Sequence, residues 1–164
     1  MRNILENSRK ETISLRQELE TIKLYLDLEA VRMDNKFDYS IQISKNIDTE
    51  IIQIPPLIMQ PFLENAIWHG INHKEGQGLI EIEIENPVDN PNQLIIQIRD
   101  DGVGRKAALK RKEENAHKSY GIDITKERLE IYGIDNRLFI SDLYDEFERP
   151  LGTLVILKIN LQND

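Results

Sequence analysis

The chain has 164 residues, which is the size of one domain with room for a sizeable core. Hydrophobic residues make up 40% of it and charged residues 30%, the proportions of a soluble globular protein. The formal net charge of −8 argues against nucleic acid as a partner, and the lack of cysteine excludes disulfides and thiolate catalysis. No apolar run approaches the roughly 20 residues that cross a bilayer, and the first residues form no signal peptide, so we expect a cytoplasmic domain.

The first predicted element is an amphipathic helix. Its apolar residues recur at alternating spacings of four and three, and Glu29 interrupts the series. These residues are Leu15, Leu19, Ile22, Leu26 and Met33. We interpret residues 1–34 as a linker helix and residues 35–164 as a separate unit. Two interpretations of the apolar seam remain open: it packs on the following unit, or it contacts a second subunit or an upstream helical bundle.

After Asn35 the pattern changes to strands and shorter helices. Alternating apolar residues predict strands at Phe37–Ile43, Leu79–Ile84, Leu94–Ile98, Leu138–Ile140 and Leu154–Leu161. A helix is predicted to begin at Pro55-Pro56, run to His69 and stop at Gly70; a second covers Asp123–Tyr132. The fold class that follows is an α+β two-layer sandwich, in which helices cover one face of a mixed, mostly antiparallel sheet.

Two adjacent polar residues lie on the first of these predicted helices. Glu64 and Asn65 precede Ala66, so Asn65 lies at the edge of the apolar face. A carboxamide oxygen suits Mg²⁺, which takes few protein ligands and completes its shell with phosphate and water. The alternative is an asparagine that only hydrogen-bonds a neighbouring loop.

An acidic residue ends a predicted strand before two glycines. Asp100 follows the apolar strand Leu94–Ile98, and Gly102 and Gly104 allow a tight turn and close approach of a ligand to the backbone. A carboxylate fixed there can accept a hydrogen bond from the exocyclic amine of adenine, whereas the carbonyl of guanine would be repelled. The alternative is an ordinary turn at the exit of a strand.

A cationic segment, residues 105–119, follows this turn in a chain that is otherwise acidic. It is either a solvated loop or a lid that closes over a polyphosphate. The segment ends near Gly121, where the backbone at a helix start could bind phosphate. Further on, the hydroxyl of Thr153 could bond Asp100, or Thr153 could be a plain strand residue.

In this order, the helix asparagine, the Asp-x-Gly-x-Gly turn, the cationic segment and the Gly-Thr pair resemble the GHKL, or Bergerat, ATP-binding fold of histidine kinases and gyrase-type ATPases. Residues 15–32 resemble the linker helix of LytS-type sensor histidine kinases, and residues 54–66 resemble their N-box. The resemblance covers nearly the whole chain.

The resemblance implies an ATP and Mg²⁺ site. It assigns Asn65 as the Mg²⁺ ligand, Glu64 as the acid of the N-box, and both as catalytic. Asp100 is then the residue that recognises adenine. The other nucleotide contacts that it implies are Gly102, Gly104, Lys118, Tyr120, Gly121, Ile122 and Thr153. Hydrolysing relatives keep a glutamate one turn before the asparagine; Pro61 stands there, which points to phosphoryl transfer rather than hydrolysis.

The resemblance also implies partners. They are an acceptor-histidine helix, which this chain lacks, a response regulator of the LytTR type, and a second subunit in a homodimer. Attachment of the full-length protein to the inner membrane through an N-terminal region is a further expectation. The second glycine box departs from Gly-x-Gly-Leu-x-Asn, with Ser119 and Ile124 at its ends. Two functions therefore stay open: a histidine kinase catalytic domain, or a degenerate nucleotide-binding regulatory module that transfers no phosphate.

Overall fold

The computed structural model describes residues 12–105, 125–127, 129–130 and 137–161. In chain order the elements are β1 (Ile13–Ser14), α1 (Leu15–Arg32), β2 (Phe37–Ile43), β3 (Gln53–Ile54), α2 (Gln60–Asn65), a π-helix (Ala66–Gly70), a 3₁₀ turn (Ile71–His73), β4 (Gly78–Glu85), β5 (Gln93–Asp100), β6 (Arg137–Tyr144) and β7 (Pro150–Asn160). No helix among the described residues has both the length and the hydrophobicity that crossing a membrane requires.

The main sheet has five strands in the order β2-β4-β5-β7-β6. β2 and β4 are parallel, whereas the other neighbours pair antiparallel. One face of β4 and β5 is buried and forms the core with the helices, as the alternating sequence pattern requires. The predicted α+β two-layer sandwich with a mixed, mostly antiparallel sheet is confirmed.

Helix α1 packs against the rest of the domain. It begins with a reciprocal cap, in which the amide of Gln17 donates to the Ser14 hydroxyl and the amide of Ser14 donates to the Gln17 side chain. The first four residues of the predicted seam are buried in the core, which confirms the first interpretation of the seam. Glu29 lies on this buried side rather than interrupting it. An apolar row is exposed elsewhere on α1 (Leu24, Leu28 and Val31).

The predicted start of the second helix is wrong. Pro55 and Pro56 precede a turn in which Leu57 has a φ of +59°, a left-handed conformation that cannot continue a right-handed helix. Helix α2 starts only at Gln60, with Pro61 in its first turn, where the missing N–H costs nothing. The predicted stop at Gly70 coincides with the end of the π-helix that extends α2.

The strand predictions were close. The predicted strands all occur, although β6 and β7 are longer than expected. The last strand was predicted to begin at Leu154, but β7 begins at Pro150 and therefore includes Gly152 and Thr153. The small sheet of β1 and β3 was missed, because two-residue strands carry no periodic pattern. Of the predicted helix at 123–132, residues 125–127 and 129–130 are helical, and the others lie outside the described residues.

Candidate functional site

Asp100 is a buried carboxylate at the end of β5. It pairs in register with Thr153 of β7, and its side chain is only 5% exposed. Its Oδ1 accepts a hydrogen bond from the amide of Gly102 at 2.9 Å, and Thr153 hydrogen-bonds it as well, which was one of the possibilities left open by the sequence. Burial raises the pKa of Asp100 to about 6, against the opposing effect of these hydrogen bonds. At neutral pH the site therefore contains a largely ionised acceptor with little solvent around it.

Three glycines pack around Asp100, two beside its carboxylate and one beside its backbone. A Cβ on Gly70 would lie 3.0 Å from Asp100 Oδ1, and a Cβ on Gly102 would lie 2.4 Å from the Cα of Gly70. Gly152 has a φ of +117°, and a Cβ there would lie 1.9 Å from the Asp100 carbonyl oxygen. Side chains at these positions would clash with the backbone, so the three segments approach each other only because the residues are glycines.

The contact at Gly70 joins the two halves of the predicted site. The amide of Val103 donates to the carbonyl of Gly70 at 3.3 Å, which ties the turn after Asp100 to the end of the π-helix. From the sequence, Gly70 was predicted only as a helix stop, and its packing role was not predicted. A glycine at that position suits both the end of a helix and close backbone packing, so the sequence held no signal that separates these two roles.

Asn65 is the last residue of α2 and lies immediately before the π-helix that ends at Gly70. Its side chain is half-buried. The π-helix is shown by the amide of Ile71, which donates to the carbonyl of Ala66, five residues back. Such helices are rare and are frequent at functional sites. The helix that ends at Asn65 and the turn after Asp100 are thus linked through the π-helix and its contact at Gly70.

Glu64 differs from its neighbour because it is exposed. Its Oε1 accepts a hydrogen bond from the Gln60 side chain at 2.8 Å, one helical turn earlier. The structure therefore leaves this carboxylate accessible to a molecule that approaches the surface of α2.

A second acid, Asp101, was missed by the sequence analysis. Its two carboxylate oxygens bind Lys74 Nζ at 2.6 Å and the amide of Leu79 at 2.8 Å. The Asp-Asp pair at the end of a strand was the available signal. Asp100 faces the glycines, whereas Asp101 fastens the turn to the start of β4.

The first cation of the predicted lid is an anchor. Arg105 pairs with Asp142 of β6, at 2.9 Å from Nε to Oδ1 and 3.2 Å from Nη2 to Oδ2, so its charge is already engaged. The remaining lid and second-glycine-box positions lie outside the described residues. They are residues 106–119 together with Tyr120, Gly121, Ile122 and Ile124, and they include the predicted nucleotide contact Lys118. Gly104, with a φ of +75°, supplies the turn that the sequence predicted.

Comparison with known proteins relates this chain to histidine kinases. The sequence model of the family described as histidine kinase matches residues 1–37. YwpD of Bacillus subtilis is 28% identical over 90% of this chain, and the sensor protein LytS of Staphylococcus haemolyticus is 33% identical over 63% of it. The chain spans only 50% and 17% of the length of these two relatives.

Solved structures show the same fold. The mycobacterial sensor histidine kinase MprB matches with a TM-score of 0.62 at 15% identity, over 93% of this chain and 98% of that one. Histidine kinase ThkA, solved in complex with the response regulator TrrA, matches with a TM-score of 0.59 at 16% identity, over 98% of this chain and 46% of that one.

The five-stranded sheet with helices on one face thus has the fold of histidine kinase catalytic domains. The sequence relatives agree with this fold, since the chain is similar to sensor proteins of the LytS type and its first 37 residues match the histidine kinase family model.

Proposed function

We propose that this domain binds Mg²⁺-ATP and supplies its γ-phosphoryl group to a histidine on an acceptor helix, for relay to a response regulator. The observation that carries the proposal is the buried Asp100 carboxylate beside Gly70 and Gly102, joined through Gly70 to the π-helix that follows Asn65. The similarity of the chain to histidine kinases supports phosphoryl transfer as the role of this site.

The residues present fit an adenine base. The Asp100 carboxylate is ionised above a pKa of about 6 and can accept a hydrogen bond from the exocyclic amine of adenine. Gly70 and Gly102 let the end of the π-helix and the turn after Asp100 pack directly beside the carboxylate, which fixes its position. A guanine carbonyl at the same point would meet the negative charge instead.

The residues also fit a magnesium ion bound mainly by phosphate. Asn65 offers a neutral oxygen at the end of α2, and Mg²⁺ bound there would neutralise charge on the phosphates. Glu64 is exposed beside it and is our candidate to orient, or to take a proton from, an incoming histidine. Pro61 stands one turn before Asn65 and cannot activate water, which favours a histidine as the acceptor over hydrolysis.

A response regulator is the proposed recipient of the phosphate, because a solved relative of this fold, ThkA, forms a complex with one. The LytTR type of that regulator and a homodimeric full-length kinase remain expectations. The first experiment is titration calorimetry with ATP and GTP, each with Mg²⁺ and with EDTA. ATP binding that Mg²⁺ strengthens, and weak GTP binding, are expected; equal affinity for the two nucleotides would remove Asp100 from base recognition.

The alternative is a regulatory module that binds nucleotide without transferring phosphate, which Ser119 and Ile124 in the second glycine box favour. Radiolabelled ATP and a supplied acceptor helix from a LytS-type kinase separate the two functions. Labelling of that helix supports the kinase, whereas tight binding with no labelling supports the module.

A further inference from the structure

The start of α2 depends on one unfavourable backbone conformation. Leu57 adopts a φ of +59°, in the left-handed region that residues with a large side chain rarely occupy. The next two residues, Ile58 and Met59, are fully buried. The turn at Leu57 therefore determines where α2 begins. That helix starts at Gln60 and ends at Asn65.

A carboxylate from α1 holds this turn. Glu18 is completely buried; its Oε2 accepts from the amide of Leu57 at 2.9 Å and its Oε1 from the amide of Met59 at 3.4 Å. No side chain of its own caps the first turn of α2. Since a buried carboxylate is costly unless it is hydrogen-bonded, the two amides of the turn help to stabilise Glu18 there.

A second group of α1 side chains contacts the segment after Asn65. Trp68, in the π-helix, hydrogen-bonds Tyr25. The guanidinium of Arg32 lies over the Trp68 ring, 5.0 Å from its centre, and pairs with the buried Glu29 at 3.3 Å. Helix α1 thus contacts the chain both before and after Asn65, at Leu57–Met59 and at Trp68.

We propose that Glu18 is a positioning residue for Asn65. Its carboxylate fixes the left-handed turn at Leu57, the turn fixes the start of α2, and α2 places the Asn65 side chain. A shift of α1 relative to the sheet would then change the position of Asn65 directly, so the linker helix can tune metal-dependent nucleotide binding. The inference deepens the proposed function, because it takes Asn65 as the Mg²⁺ ligand.

The test compares Glu18→Gln with Glu20→Gln. Glutamine keeps the size of Glu18 but turns one acceptor oxygen into a donor that faces a backbone amide. Glu20 lies on the same helix but is exposed and pairs only with Arg16 among the contacts of the described residues, so its variant controls for the loss of charge. Mg²⁺-ATP affinity should fall at least fivefold in Glu18→Gln and ATP affinity in EDTA much less, whereas Glu20→Gln should change neither. Equal losses with and without Mg²⁺ would overturn the proposal.

Two further readouts need no nucleotide. Trp68 is the single tryptophan of the chain, so its fluorescence reports on the π-helix next to Asn65. Glu18→Gln should shift its emission and accelerate amide exchange at Leu57–Met59, while thermal unfolding shows that the fold persists. If Glu18→Gln does not fold, Glu18→Asp, which keeps the charge but shortens the side chain, is measured in its place. Unchanged emission and exchange would show that Glu18 does not position this segment, even if the protein binds no ATP.

A rescue separates positioning from a general role in the core. Glycine adopts a φ of +59° without strain, so Leu57→Gly added to Glu18→Gln should recover at least half of the lost Mg²⁺ preference and move the Trp68 emission back. A structural role of Glu18 elsewhere in the core predicts instead that the two losses add. Additive losses would refute the proposal.

Discussion

Replacing Asp100 by asparagine should make the nucleotide-free domain more stable and its nucleotide binding weaker. Burial raises the pKa of this carboxyl from its ordinary value of 3.8 to about 6. Because each tenfold change in proton affinity is worth about 1.4 kcal/mol, the ionised carboxylate costs the folded state about 3 kcal/mol above pH 6. An amide removes that charge, but it is itself buried, so we expect a gain of about 1–2 kcal/mol at pH 8.

The sign of the pH dependence is fixed by the raised pKa. The wild-type domain gains stability, relative to the variant, as pH falls through 6 towards 4, because the folded state then takes up a proton that the unfolded state binds less tightly. Between pH 8 and pH 5 the advantage of Asp100→Asn should shrink by about 1.4 kcal/mol. Urea unfolding at both values measures it.

Asp101→Asn is the matched control for this variant. It lies next in sequence but loses the ion pair with Lys74, so it should gain no stability at pH 8. In calorimetry Asp100→Asn should lose about 10- to 100-fold in ATP affinity, since a charge-assisted hydrogen bond is worth about 1.5–3 kcal/mol. An Asp100→Asn domain that is less stable than wild type at pH 8, or whose advantage does not depend on pH, would refute the account of a desolvated carboxylate.

Asn65→Ala should weaken Mg²⁺-ATP binding more than ATP binding in EDTA, because it removes a metal ligand and not a base contact; equal losses in calorimetry would make Asn65 a scaffold residue. ATP affinity should fall as pH drops below about 6, where Asp100 becomes protonated, and this dependence should disappear in Asp100→Asn; a wild-type pH profile that the variant keeps would have another origin. Gly152→Ala should destabilise the domain by more than about 2 kcal/mol in urea, since its Cβ meets the Asp100 carbonyl and its φ is +117°; a smaller loss would mean that β7 adjusts. Pro61 offers no base for water, so steady-state ATP turnover should be negligible, and robust turnover abolished by Asn65→Ala would place the domain with hydrolysing relatives.

The sequence predicted the sheet well because alternating burial acts over a few neighbouring residues. The hydrogen bond of Thr153 to Asp100 was one of the possibilities that the sequence left open. The sequence could not predict the turn at Leu57. That turn is stabilised by Glu18, which lies 39 residues earlier in the chain, and no local pattern shows such an interaction.

Two further residues illustrate the same limit of prediction from local sequence. Glu29 looked like a polar break in an apolar seam, yet it is buried and pairs with Arg32. Gly70 looked like the end of a helix, yet its backbone packs directly on the turn after Asp100 and accepts a hydrogen bond from it. Residue type and spacing indicated which positions were special, while only the packing of distant segments shows what they do.

The way α1 is built into the domain has a consequence for how such proteins recombine in evolution. Ile13 pairs with Ile54 in a small sheet, and α1 fills the core with Leu15, Leu19, Ile22 and Leu26. A gene fusion that joined a new sensory module at residue 34 would discard those side chains and leave the carboxylate-binding turn at Leu57 without Glu18. Exchanges that leave a working domain must therefore join upstream of Ile13, so any new input reaches the fold through the same helix.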